Sequence, residues 1–182
     1  MAEIGIVVGG SEDVWRELDQ AKLLLARVGA KPRYFVANDM IDHFHGRCIA
    51  GTLHVDKLPM WLKSRTDKNM EPLEAVWICT TEKNRPGAQY ATYITEDVGG
   101  SVGLFLTRIA TREYGLKVIL CGVPMDSRKH FVRGRPWNDV LTFEHRWNPH
   151  IQSLRASVRS FSGKTKEWFG EPDINFIQEA MT

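Results

Sequence analysis

The sequence predicts an α/β fold in which helices cover both faces of a mostly parallel sheet, and three observations support this prediction. Short runs of branched apolar residues alternate along the chain with stretches of helical periodicity. The run at residues 117–121 is almost uninterruptedly apolar, as expected for a central strand buried on both faces. Glycines end several of these strands, at residues 9 and 10 and again at residue 122. Because ligands bind at the carboxyl ends of strands in such sheets, we expect functional residues in the loops that follow them.

The predicted elements form a single domain over residues 1–182. Strands are expected at residues 4–8, 34–37, 51–55, 75–79, 117–121 and 158–161. Helices are expected, in chain order, at residues 11–28, 57–63 and 101–114, from residue 137 to Pro149, and at residues 162–169, with a short terminal helix after residue 173. Residues 65–72 are charged and rich in turn formers, which predicts a surface connection. Residues 82–97 are expected to form a long loop beside the site, with room for a short added strand.

Composition narrows the classes of partner. The 24 Lys and Arg residues against 22 Asp and Glu leave a net charge of +2, too small to predict nucleic acid as the default partner. Cys48, Cys79 and Cys121 are widely spaced, and the last two lie in apolar runs, which favours buried thiols in a reducing compartment. The N-terminus does not resemble a signal peptide, and no window reaches the roughly 18 apolar residues of a membrane span. We therefore expect a cytoplasmic protein with no membrane partner; a homo-oligomer is compatible with this composition.

Two glycine-containing loops are candidates for binding an anion. Gly9, Gly10 and Ser11 connect the first strand to the first helix, but Glu12 and Asp13 already occupy that helix start, so a tight turn and a ligand loop remain equally open readings. The loop at residues 99–101 precedes a helix whose first turn carries no carboxylate. Gly99, Gly100 and Ser101 are therefore the better phosphate cradle, although the glycines could equally serve close helix packing.

The segment after the strand at residues 117–121 carries several groups that could act on a ligand. Within residues 126–137 there are four cations, one histidine and one aspartate. His130 and Asp126 are the candidate catalytic residues because a histidine can transfer a proton near neutral pH, and Arg128 and Arg133 are the candidate phosphate ligands. The alternative is a solvated basic loop, which is what most charge runs are.

Three histidines offer a weaker, alternative interpretation. His43 and His45 have the spacing of two ligands on one extended segment, and His54 could supply a third. Because no fourth ligand has a recognisable spacing, we favour a polar loop with satisfied histidines and predict no metal site.

The order of these motifs resembles a Rossmann-like family. The stretches VVGGSE, FVANDM and GGSVGLFLTRIATREYGLKVILCGVPMD, followed by a histidine, are similar to the group that contains the family 42 sialyltransferases, the motility-associated-factor glycosyltransferase-like proteins and the 6-hydroxymethylpterin diphosphokinases. The resemblance covers most of residues 4–131. The chain also resembles small phage- or prophage-encoded proteins of the same build and unassigned function. It departs from the family in lacking the proline of the GxGPS loop and in having a GxD strand end stretched over residues 122–126.

The resemblance implies a Rossmann-like three-layer α/β/α fold with a nucleotide in its cleft. The residues that would contact the nucleotide or line its cleft are Gly9, Gly10, Ser11, Asn38, Gly100, Ser101 and Gly103. It also implies that His130 acts as a general base or stabilises a leaving group.

The leading hypothesis is a nucleotide-binding or nucleotide-sugar-binding enzyme of glycosyltransferase-like type. Its small-molecule ligand would be a nucleotide such as a CMP- or UDP-linked sugar, and no other cofactor is expected. The basic segment at residues 128–135 would hold the phosphate leaving group. One alternative is a non-catalytic nucleotide-binding or sensing module. Another is a phage-type structural or assembly protein, in which Trp61, Trp137 and Trp168 supply subunit contacts.

Overall fold

The computed structural model describes residues 2–80, 85–95, 101–132, 134, 136 and 140–181. The strands of the described residues are β1 (Glu3–Val8), β2 (Lys31–Ala37), β3 (Ile49–Thr52), β4 (Ala75–Cys79), β5 (Tyr93–Thr95), β6 (Val118–Cys121) and β7 (Val158–Ser160). The α-helices are α1 (Val14–Val28), α2 (Leu58–Asp67), α3 (Val102–Arg112), α4 (Val140–Leu154), α5 (Gly163–Phe169) and α6 (Ile174–Gln178). None of these helices combines the length and the apolar character needed to cross a membrane.

The strands form one sheet in the order β5-β4-β3-β2-β1-β6-β7, and every neighbouring pair is parallel. One face is covered by α1, α2 and α6, and the other by α3, α4 and α5. The predicted three-layer α/β fold is therefore confirmed. The short strand β5 is the addition expected within residues 82–97.

The centre of the sheet is the pair β1 and β6, in which Val8 lies opposite Cys121. All four residues of β6 are fully buried, which confirms the predicted central strand. From β1 the chain enters α1 on one face of the sheet, and from β6 it enters α4 on the other. This change of face leaves a crevice between the carboxyl ends of the two strands, where open parallel sheets bind their ligands.

The prediction that residues 65–72 form a surface connection is wrong for the first residues of this range, which belong to a helix. Helix α2 continues to Asp67, and Arg65 within it is only 3% exposed. Its guanidinium donates hydrogen bonds to the carbonyl oxygens of Ile41 (2.8 Å) and Phe44 (2.9 Å). The cation is tolerated in the interior because its donors are satisfied there, which a local reading of charge does not reveal.

The predicted end of the fourth helix at Pro149 is also wrong. Pro149 lies inside α4, which continues to Leu154. A proline removes one hydrogen bond from a helix and strains the preceding turn. Ile151 and Leu154 nevertheless pack against the core, and this burial favours continuing the helix. Residues 137–139, the predicted start of this helix, lie outside the described residues.

Of the tryptophans suggested as subunit contacts, Trp61 is buried and Trp168 is partly buried. Trp61 is 4% exposed and belongs to the core beneath α2, so it is not accessible to a partner. Trp168 packs against Trp147 and Phe169, with ring centroids 6.0 and 6.2 Å away. Trp137 lies outside the described residues.

Candidate functional site

A cavity of about 300 Å³ lies at the carboxyl ends of β1, β2 and β6, beside the start of α3. This volume is at the lower end of the range for small-molecule sites. The predicted site residues that line it are Gly9, Gly10, Ser11, Asn38, Ser101, Gly103, Asp126, Arg128 and His130. Three further predicted site residues, Gly99, Gly100 and Arg133, lie outside the described residues. Predicted site residues from four separate segments of the sequence thus meet in one cleft.

The two glycines after β1 are required by close approach of the chain. A β-carbon at Gly9 would lie 2.3 Å from the carbonyl oxygen of Gly122, and one at Gly10 would lie 2.2 Å from Nε2 of His130. The Gly9 N–H donates to the carbonyl oxygen of Cys121 over 2.8 Å. Close packing therefore requires both glycines, as predicted for a tight turn. The same glycines also line the cavity.

The position of His130 is fixed by backbone pairing with the first loop. Phe131 N–H donates to the carbonyl oxygen of Gly10 (2.6 Å), and Glu12 N–H donates to that of Lys129 (2.9 Å). His130 itself forms an antiparallel bridge with Ser11. The segment after β6 therefore lies across the start of α1 and directs the imidazole into the cavity.

Hydrogen bonds define which nitrogen of His130 carries the proton. The backbone N–H of Val132 donates to Nδ1 over 3.2 Å, so Nδ1 is an acceptor. A neutral imidazole with an acceptor at Nδ1 carries its hydrogen on Nε2. Nε2 lies 3.5 Å from a carboxylate oxygen of Asp39. His130 thus presents a hydrogen-bond donor to the cavity, which suits stabilisation of an anion better than removal of a proton.

Asp126, the predicted catalytic residue, and Arg128, the predicted phosphate ligand, bind each other. One carboxylate oxygen of Asp126 accepts a hydrogen bond from the backbone N–H of Arg128, and the other pairs with Nε of Arg128. Both distances are 3.0 Å. Nη1 of Arg128 pairs with Asp13 over 2.9 Å. Partial burial lowers the pKa of Arg128, but the carboxylates of Asp126 and Asp13 together raise it by more. The pKa therefore lies above its ordinary value, and the guanidinium stays charged. Its charge is compensated within the protein, and it links the start of α1 to the loop after β6.

The end of β2 brings Asn38 and Asp39 to the cavity. Asn38 adopts a left-handed backbone conformation, with φ of 50°, which asparagine tolerates better than most residues. Its side-chain oxygen accepts a hydrogen bond from the hydroxyl of Thr52 over 2.9 Å. Asp39 follows it and lines the cavity, with a side chain only 14% exposed. Asp39 was not among the predicted site residues, although an acidic residue two positions after a strand end was a usable signal.

The start of α3 forms another wall of the cavity. Ser101 is the predicted N-cap, and its hydroxyl accepts the N–H of Leu104 over 3.5 Å. The first turn contains no acidic residue, and Val102 and Gly103 line the cavity with Ser101. Backbone N–H groups at these first helical positions have no partner within the helix. A β-carbon at Gly103 would lie 2.6 Å from a methyl group of Val123, so close helix packing also requires this glycine.

A buried carboxylate, also missed from the sequence, supports the floor of the cleft. Glu17 in α1 is 1% exposed and accepts the N–H of Gly122 over 2.7 Å. Burial raises the pKa of Glu17. Hydrogen bonds from the Ser162 hydroxyl and the Gly122 N–H lower it by a smaller amount, so the pKa stays above its ordinary value. Glu17 therefore holds the end of β6 against α1, directly below the cavity.

The histidines considered as metal ligands are not brought together. His43 makes an edge contact with the ring of Phe131, at 5.6 Å between centroids, whereas His54 lies beyond the end of β3 and lines the cavity. Among the residues that the structure describes, no group of three or more His, Cys, Asp or Glu side chains is arranged to hold a metal ion.

Fold and cleft together define an α/β protein with a small-molecule-sized site at the switch point of a parallel sheet. No family model, no curated protein and no solved structure matches the chain. The resemblance to the Rossmann-like glycosyltransferase group therefore stays a prediction.

Proposed function

We propose that the cleft binds a nucleotide and that the protein is a glycosyltransferase-like enzyme acting on a nucleotide sugar. The observation that carries this proposal is the meeting of the bare start of α3 and the Nε2 hydrogen of His130 in one cavity. Backbone N–H groups at helix N-termini bind phosphate, and an N–H donor forms a strengthened hydrogen bond when its acceptor is an oxyanion. Apolar side chains of Leu53, Val102 and Phe143 line the same cavity and offer a surface for a base or a sugar ring.

The same donors suit the chemistry of glycosyl transfer. In that reaction the oxygen of an acceptor hydroxyl bonds to the sugar carbon and loses its proton to solvent, while the bond between that carbon and a phosphate oxygen breaks and the departing phosphate gains negative charge. Donors fixed beforehand around this oxygen bind the transition state more tightly than the substrate, which lowers the barrier. The Val132 N–H holds the His130 ring in place, so the ring needs little reorganisation as the charge develops.

A non-catalytic nucleotide-binding module is the second candidate. The observation that favours it is the mutual pairing of Asp126 and Arg128, because two of the groups expected to do chemistry are engaged with each other. Such a module would bind nucleotides in the same cleft without turning over a sugar nucleotide.

A thermal-shift screen of nucleoside mono- and diphosphates and CMP- and UDP-sugars tests the proposal. A ligand present at 100 times its dissociation constant stabilises the protein by about 2.7 kcal/mol. We expect stabilisation by at least one nucleotide, followed by release of free nucleotide from its sugar conjugate. Binding without release would favour the binding module, and the absence of any shift would overturn both candidates.

Ser101→Glu and Ser101→Gln form a matched pair for locating the site. Both side chains are similar in size, but only Glu places a negative charge at the start of α3. We expect Glu to weaken binding of a nucleotide well beyond the effect of Gln. Equal effects of the two variants would mean that the phosphate does not bind at this helix start.

A further inference from the structure

A second histidine, His54, lines the cavity at the end of β3 (Ile49–Thr52). It lies two residues beyond that strand, next to the apolar side chain of Leu53, which lines the cavity as well. The residue is exposed, so a proton on its ring can pass directly to solvent. An imidazole gains and loses a proton near neutral pH, which makes His54 a candidate for proton transfer.

The backbone of His54 is held from both sides. Its N–H donates to the hydroxyl of Thr52 over 2.8 Å, and that hydroxyl donates to the side-chain oxygen of Asn38 over 2.9 Å. Its carbonyl oxygen accepts the N–H of Lys57 over 3.0 Å. The strand end and the following 3₁₀ turn therefore fix where the imidazole enters the cavity. A general base needs such a position, because it must lie within hydrogen-bond reach of the proton that it takes.

His54 and the start of α3 lie toward opposite ends of the cavity. The neighbouring strands run in the order β3-β2-β1-β6. Gly103 at the start of α3 abuts Val123, just beyond β6, whereas His54 follows β3. Three strand spacings of about 4.8 Å separate these strand ends by roughly 14 Å. In an in-line displacement the attacking and leaving oxygens lie on opposite sides of the sugar carbon, so a phosphate at the start of α3 places the acceptor hydroxyl toward β3.

The other side chains of the cavity that could take a proton are placed for the leaving phosphate or bound elsewhere. His130 carries its hydrogen on Nε2 and acts there as a donor. Asp39 lies 3.5 Å from the same Nε2, so it adjoins the leaving group. Asp126 uses both carboxylate oxygens for Arg128. Position therefore assigns the proton of the acceptor to His54.

We infer that His54 is the general base of the transfer: a ring nitrogen of His54 takes the proton of the acceptor hydroxyl as the hydroxyl oxygen bonds to the sugar carbon. The bond between that carbon and the phosphate oxygen breaks, and its electron pair leaves with the phosphate, which His130 and the start of α3 stabilise. His54 then releases the proton to solvent, so the enzyme is unchanged after each turnover. This inference rests on the proposed glycosyltransferase-like function and adds a catalytic residue to it.

The pH dependence of nucleotide release, with water as the acceptor, tests the inference. UDP-glucose, UDP-N-acetylglucosamine and CMP-N-acetylneuraminate serve as donors, and free UDP or CMP is measured from pH 5 to pH 9. The wild-type kcat/KM should fall as the pH drops below about 6.5, because a protonated imidazole cannot take the proton. His54→Gln should lose roughly a hundredfold or more in kcat and should lose this acidic limb, while its nucleotide affinity, measured by calorimetry, stays within a few-fold of the wild type.

The comparison of wild type with His54→Gln separates His54 from the other charged groups around it. The titratable side chains that line the cavity with it or adjoin it in sequence all remain in the variant; they are Asp39, Asp56, Lys57, Asp126, Arg128, Lys129 and His130. An acidic limb that disappears in His54→Gln therefore belongs to His54. Added imidazole should restore part of the rate to His54→Ala and leave the wild-type rate unchanged.

His45→Gln is the matched control. His45 is also exposed and lies outside the cavity lining formed by the described residues, so this variant should keep the wild-type rate and acidic limb. An unchanged rate and limb in His54→Gln would overturn the inference and leave the proposed function standing. Nucleotide binding by the wild type without release from any of the three donors would overturn the enzyme and the inference together, and absence of nucleotide binding would overturn the binding module as well.

Discussion

His130 lies so close to Gly10 that a β-carbon on residue 10 would come within 2.2 Å of the imidazole Nε2. Gly10 has no left-handed backbone conformation, so alanine at this position is opposed by the imidazole and not by the backbone. We expect Gly10→Ala to displace the ring, to destabilise the fold by about 1 to 3 kcal/mol and to weaken nucleotide binding roughly tenfold. Urea denaturation and calorimetric titration measure the two effects.

A double variant checks the origin of that loss. In Gly10→Ala/His130→Ala the imidazole is absent, so the new methyl group meets no ring. The stability cost of Gly10→Ala should shrink markedly in the His130→Ala background. If the cost stays the same in both backgrounds, the contact between residues 10 and 130 is not its cause.

Amide substitutions of His130 test which ring nitrogen serves the ligand. The Gln amide reaches the position of Nε2, whereas the Asn amide reaches only that of Nδ1. Because Nε2 carries the donor in this arrangement, His130→Gln should keep nucleotide affinity within a few-fold and His130→Asn should lose roughly tenfold. The reverse order, measured by calorimetry, would assign the ligand to Nδ1.

Glu17 should make stability depend on pH in a defined direction. Burial raises its pKa in the folded protein, so the folded state binds this proton more tightly than the unfolded chain does. The stabilisation is complete below the unfolded pKa of about 4.3 and is lost as the pH rises through the folded pKa. Asp13, Arg128, Cys121 and Ser162 surround the carboxyl group.

Glu17→Gln removes this titration while retaining an acceptor for the Gly122 N–H. As the pH rises from about 4 through the raised folded-state pKa, the free energy of unfolding of the wild type should fall relative to that of Glu17→Gln. The exposed Glu167→Gln on α5 serves as the control and should run parallel to the wild type. Parallel curves for Glu17→Gln and the wild type would show that Glu17 does not carry the effect.

Arg65 should be among the most sensitive positions outside the cleft. Its guanidinium donates to the carbonyl oxygens of Ile41, Phe44, Gly46 and Glu71 over 2.7 to 2.9 Å. Arg65→Met fills a similar volume but leaves these carbonyl groups without their donor. We expect a loss of about 2 to 4 kcal/mol in the free energy of unfolding, measured by urea denaturation.

Arg47→Met is the comparison for that variant. The Arg47 side chain is 77% exposed and pairs with Glu74 at the surface. Exposed pairs contribute at most about 1 kcal/mol, so this variant should remain close to the wild type. A similar loss for both variants would mean that the buried carbonyl contacts of Arg65 contribute little.

The central part of the fold could be predicted because its signals are local. The apolar run at residues 117–121 and the cap at Ser101 depend on near neighbours in sequence, and both are confirmed. Arg65 was misplaced because three of its carbonyl acceptors, on Ile41, Phe44 and Gly46, are distant in sequence, which periodicity does not register. The continuation of α4 past Pro149 likewise depends on burial against the rest of the core.

The sequence predicted which loops form the candidate site but not which side chains contact one another there. Loops at strand ends follow from fold class, so Gly10, Asn38 and His130 could be expected to meet. The contact of Asp39 with His130 joins two distant segments and left no local signal. The pairing of Asp126 with Arg128 did have one, because an aspartate often binds the backbone N–H two residues later.

The most direct test of nucleotide binding in this cleft is NMR of the protein labelled with ¹⁵N at glycine, titrated with CMP and UMP. Gly10 and Gly103 line the cavity, whereas Gly29 and Gly115 lie at helix ends facing open space. We predict saturable shifts of the Gly10 and Gly103 amide resonances, with Gly29 and Gly115 unchanged. Unchanged Gly10 and Gly103 resonances at millimolar nucleotide would contradict nucleotide binding in the cleft.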